Sequence, residues 1–127
     1  MEKEFIPYDQ ALALKELGFD EVTLMWRYGN KQEKLYLGSG PQDEGDIPTP
    51  LYQQAFRWFR EKFGLEFTIE PRWENPEAEK KYCIDILDPD EESDFRSETD
   101  IYHTVFDTYD QAQLACLNKL IEIVRNR

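Results

Sequence analysis

The sequence predicts an α+β fold, with three helices and about four to five strands in one antiparallel or mixed sheet, ordered α-β-β-α-β-β-(β)-α. One observation is a tetrapeptide that recurs almost unchanged as Tyr8-Asp9-Gln10-Ala11, Tyr52-Gln53-Gln54-Ala55 and Tyr109-Asp110-Gln111-Ala112. Each copy follows a helix-start signal, respectively Pro7, Thr49-Pro50 and Thr108, and opens a stretch of helical periodicity. The second observation is that the segments between the copies hold pairs of strand-like runs separated by Gly, Asn and Pro. A chain of 127 residues has the size of one ordinary domain, so residues 1–127 are expected to form a single compact unit. It is long enough to fold without a disulfide or a structural metal.

The first helix is predicted from about Tyr8 to Leu17, with Ala11, Leu14 and Leu17 on one side and Gly18 as its stop. Val22, Leu24, Trp26 and Tyr28 alternate with Thr23, Met25 and Arg27, a period-2 strand pattern. Gly29-Asn30 begins a turn, and Leu35-Tyr36-Leu37 returns as the second strand of a hairpin. The Gly/Pro/acid stretch from Gly38 to Pro50 reads as loop. In the second helix Thr49 is expected to cap and Pro50 to occupy the first turn. Tyr52, Phe56, Phe59 and Phe63 form an aromatic stripe at i, i+4, i+7 and i+11, and Gly64 ends the helix. Phe67–Trp73 and Tyr82–Leu87 read as another strand pair, followed by an acidic segment, Asp88–Asp100, and a short apolar run, Ile101–Phe106. Thr108 and Gln111 have the spacing of a capping box for the third helix, whose apolar stripe is Ala112, Leu117, Leu120, Ile121 and Val124.

Composition narrows the function without naming it. No run approaches the roughly 18–20 apolar residues of a membrane helix, and Met1–Phe5 lacks the basic start and apolar middle of a signal peptide. A cytoplasmic protein is expected. The two cysteines, Cys83 and Cys116, read as small buried hydrophobes. With 15 basic and 27 acidic side chains the net charge is −12, which argues against nucleic acid and leaves a basic protein surface or metal cations as partners.

Asp85, Asp88, Asp90, Glu91, Glu92 and Asp94 cluster, and Asp88, Asp90 and Glu92 alternate like the first ligands of a calcium loop. Ser93 stands where that loop needs glycine and Thr99 where it needs a bidentate Glu, so a solvated acidic loop is the expectation. His103 is the sole histidine, and its sequence neighbours supply no nucleophile on the same face of a strand. Arg57, Trp58 and Trp73 mix cation and ring; Trp58 lies one position off the aromatic stripe, which predicts partial exposure and contact with a protein partner. The chain lacks a glycine-rich phosphate loop with its lysine, Cys/His zinc spacing and a serine elbow. No catalytic residue and no cofactor is assigned.

Phe5–Glu21 (FIPYDQALALKELGFDE), the run PTPLYQQAFRWFREKFG within Ile47–Gly64, and Tyr109–Val124 (YDQAQLACLNKLIEIV) resemble a family of small uncharacterised proteins encoded by gut Bacteroidetes and their phages or prophages. The resemblance covers the three helices, less than half the chain, and carries no functional residue across. What it implies is context, a phage or mobile-element accessory protein. Three functional expectations follow: a non-catalytic accessory protein that binds another protein; an acidic mimic of nucleic acid that inhibits a host defence or DNA-processing protein; and a small metal-binding protein or enzyme built on the Asp85–Asp94 cluster.

Overall fold

A computed structural model of the chain describes residues 2–73, 75–88, 95, 96 and 105–127. After a 3-10 turn at Glu2–Glu4 come α1 (Tyr8–Glu16), β1 (Met25–Arg27), β2 (Leu35–Leu37), β3 (Ile47–Thr49), α2 (Tyr52–Phe63), β4 (Glu66–Arg72), β5 (Lys81–Leu87), β6 (Phe95–Arg96) and α3 (Tyr109–Arg125). The fold is α+β, and α1, α2 and α3 each begin on the tyrosine of the recurring tetrapeptide. The strands form two separate antiparallel sheets, ordered β2-β1-β3 and β4-β5-β6, where the sequence suggested one. The chain divides into two compact units, Met1–Trp58 with Val124–Arg127 and Phe59–Ile123.

In the first unit α1 buries Ala11, Ala13 and Leu14 and lies against β3. Gly18 follows at φ 101°, a conformation that costs a residue without a Cβ little. The β1–β2 hairpin pairs Trp26 with Tyr36. β3 pairs with the other side of β1, inside the stretch the sequence marks as loop, and places Pro48 opposite Trp26. A proline is tolerated there for a geometric reason. Gly38 N–H donates to the Leu24 carbonyl and Tyr28 N–H to the Lys34 carbonyl. By the alternation of an antiparallel ladder, Trp26 therefore directs its polar groups at Tyr36, and β3 needs no N–H at position 48.

Two expectations for this unit are corrected. Thr49 does not cap α2: it ends β3, and its hydroxyl donates to the Ile47 carbonyl at 3.2 Å. Trp58 is not partly exposed. It is buried to 3 % exposure, with its ring 5.4 Å from Phe19 in an edge-to-face contact. The apolar face of α2 is wide enough to include the position beside the aromatic stripe, because Tyr52, Ala55 and Phe56 are buried with it.

The second unit is built on a long ladder. β4 and β5 pair from Glu66–Leu87 to Arg72–Lys81. Pro71 lies inside β4 opposite Tyr82. Tyr82 exchanges both its backbone hydrogen bonds with Phe106 on its other side, each 2.8 Å, so β4 again loses nothing by carrying a proline at its edge. β6 falls within the segment read as an acidic loop, while residues 101–104 of the expected Ile101–Phe106 run lie outside the described residues. Gly64, at φ 70°, follows α2 as anticipated. Thr108 accepts the Gln111 N–H at 3.1 Å and Gln111 reaches back to the Asp107 N–H at 3.1 Å, a capping box displaced by one residue. Phe59, Leu65, Ile84, Ile86, Leu117 and Leu120 are buried. Both cysteines are free and buried, and burial pushes the Cys116 thiol up to about 12.

Candidate functional site

The most organised polar structure lies in the first unit, where residues 38–46 fold onto the β1–β2 hairpin around one carboxylate. Asp46 is buried. Its Oδ1 accepts the Gly29 N–H at 2.9 Å; its Oδ2 accepts the Asp43 N–H at 2.9 Å, the Gln42 N–H at 3.1 Å and the Tyr36 hydroxyl at 2.8 Å. Donation from Gly29 foremost, with Asp43, Tyr36 and Gln42 adding, holds the Asp46 pKa below its ordinary value against the opposing effect of burial. Burial and the bond to Asp46 raise that of Tyr36. Close approach is built in: a Cβ at Gly29 would meet the Gly45 carbonyl oxygen at 2.6 Å. The Tyr28 and Tyr36 rings add contact at 4.6 Å.

Arg27 braces the other side of the hairpin. Its Nε and Nη2 donate to the Ile6 carbonyl at 3.2 and 2.9 Å, and its Nη1 to those of Glu33 at 3.1 Å and Gln32 at 3.4 Å. No carboxylate pairs with it among the described residues, and burial lowers its pKa. Arg27 and Asp46 thus satisfy backbone groups that short strands leave unpaired.

Beside the Asp46 loop lies a groove of about 540 Å³ on the first unit, lined by Trp26 and by the charged residues Lys15, Asp20, Glu21, Asp43, Glu44 and Asp46. Gln54 of α2 fixes one wall, donating to the Val22 carbonyl at 2.9 Å and to Glu21 at 3.2 Å. A second hollow of about 420 Å³ adjoins it, sharing Val22, Thr23 and Ser39 and adding Leu24 and Leu37. Val22, Leu24 and Leu37 are 84 %, 63 % and 70 % exposed, so they make an apolar shelf open to water. The period-2 strand expected from Val22 to Tyr28 begins only at Met25; Val22 and Leu24 face out ahead of it, while Thr23 and Arg27 are buried. Thr23 is accommodated inside by donating to the Met25 carbonyl at 3.0 Å.

The residues singled out by sequence are placed elsewhere. Arg57 is exposed on α2 beside the buried Trp58; Trp73 follows β4 in the other unit and is 52 % exposed. Asp88 is buried at the end of β5 rather than solvated, and Asp85 is half-buried opposite Thr68. Asp90, Glu92 and His103 lie outside the described residues. Among the described residues no group of three or more His, Cys, Asp or Glu side chains could hold a metal ion, and no helix is long and apolar enough to cross a membrane. Sequence reasoning missed Val22, Leu24 and Leu37 as a surface. Val22 and Leu24 precede β1 and Leu37 ends β2, so no single alternation marks them as one face. No family model, no curated protein and no solved structure matches the chain.

Proposed function

We propose that the protein is a non-catalytic accessory protein, of the phage or mobile-element kind its helices resemble, that works by binding another protein through the first unit. The observation that carries the reading is the shelf of Val22, Leu24 and Leu37, three aliphatic side chains exposed together around one hollow. Isolated exposed aliphatics are ordinary, whereas a contiguous set beside a braced groove is what a protein contact buries. The groove adds order without reactive chemistry. Its most perturbed carboxylate, Asp46, is fully engaged in holding the loop.

A tagged pull-down from bacterial lysate, with and without nuclease, tests this when run beside the Val22→Ser/Leu24→Ser/Leu37→Ser variant. A protein captured by the wild type, retained after nuclease and lost from the variant is the expected result. Capture that is unchanged in the variant, or that disappears with nuclease, excludes the shelf as the binding surface. Equal melting temperatures for the two proteins establish that any loss is not unfolding.

A further inference from the structure

The two hollows that share Val22, Thr23 and Ser39 differ in chemistry. One is an aliphatic shelf; the other carries Asp20, Glu21, Asp43 and Glu44 against the single cation Lys15. Asp20, Asp43 and Glu44 are exposed, and Asp46 beside them already accepts from Gly29, Tyr36, Gln42 and Asp43. The negative field of the groove is therefore available to an incoming group and is not consumed within the fold. Resting on the protein-binding reading above, we infer that the occupant is a segment of a partner protein with lysine or arginine side chains next to aliphatic ones. Its cations enter the groove while its aliphatic side chains cover Val22, Leu24 and Leu37. Charge complementarity fixes the register and speeds the encounter; apolar burial on the shelf supplies the greater part of the affinity. A phosphate-bearing ligand is disfavoured on the same grounds, since the groove would repel it.

The test titrates the isotope-labelled full chain with three synthetic peptides and follows its backbone amide resonances. One peptide alternates leucine with lysine, one replaces each lysine by glutamate, and one replaces each leucine by serine. The leucine–lysine peptide is expected to shift the amides of Val22, Thr23, Leu24 and Ser39 together with those of residues 42–46. The glutamate peptide should leave them unmoved, and the lysine–serine peptide should bind roughly tenfold or more weakly, because it offers nothing to the shelf. Asp20→Lys/Glu44→Lys, which changes two exposed side chains and leaves the loop's bonds in place, should weaken the leucine–lysine peptide by about tenfold.

Shifts concentrated elsewhere, equal binding of the lysine–serine peptide, or indifference to the charge reversal would each overturn the assignment. The pull-down separates this failure from failure of the broader reading. A partner lost by the serine variant but kept by Asp20→Lys/Glu44→Lys preserves protein binding and removes the basic occupant. A partner kept by both variants removes both.

Discussion

Strands β1, β2 and β3 are three residues long each, while β4 and β5 run for seven and pair along their whole length. The two regions meet the same requirement in different ways. In the second unit the facing backbone groups of β4 and β5 are satisfied by the ladder itself, and aliphatic and aromatic side chains are free to make a core. In the first the strands are too short to do so, and two buried charged residues, Arg27 and Asp46, reach into the loops instead. Polar side chains acting as backbone partners give an irregular region a fixed shape, which is what a recognition surface needs.

The contrast can be broken most severely from the apolar side. Phe59 is fully buried, and Phe59→Ala is expected to cost about 3–5 kcal/mol, measured by chemical denaturation of the full chain. A cost below about 1 kcal/mol would mean that the ring is not core. Arg27→Ala attacks the polar side and should cost about 2–4 kcal/mol, because it leaves the buried Ile6 carbonyl without its charged donor. If instead the loss is under about 0.5 kcal/mol, as at an ordinary surface position, Arg27 is not a brace.

Acid titration sharpens the comparison. The folded pKa of Asp46 lies below its ordinary value of 3.8, so its contribution is complete above that value and is lost as pH falls through the lower folded one. Asp46→Asn should lower the melting temperature at neutral pH and flatten this acid limb. An unchanged acid limb would show that other carboxyls govern it. The smallest effect on stability belongs to the shelf. Val22→Ser, Leu24→Ser and Leu37→Ser should each change unfolding free energy by no more than about 0.5 kcal/mol while reducing partner capture.

The helices were legible because their signals are local. A tyrosine-led start, directly after Pro7 at α1 and Thr108 at α3, and a glycine after α1 and α2 need no knowledge of the rest of the chain. The long β4–β5 pair was legible for the same reason, since each strand is an extended run bounded by breakers. β3 was not, because Pro48 within a Gly/Pro/acid stretch argues for loop unless its ladder position is known. The division into two sheets is likewise a matter of non-local pairing. At the candidate site, Asp46 is one acid among many in the sequence, and only the closure of residues 38–46 onto Tyr36 and Gly29 distinguishes it. Trp58 was misplaced by treating a single stripe as the full width of the buried helix face.

Pro71 carries one more consequence. Because Tyr82 turns its polar groups toward Phe106, the nitrogen of Pro71 faces outward along the rim of β4, where an amide hydrogen would otherwise project. With Glu70 and Arg72 on either side, that rim offers an incoming strand a missing donor and two charges. The outer rim of β4 is thus a poor template for a further strand.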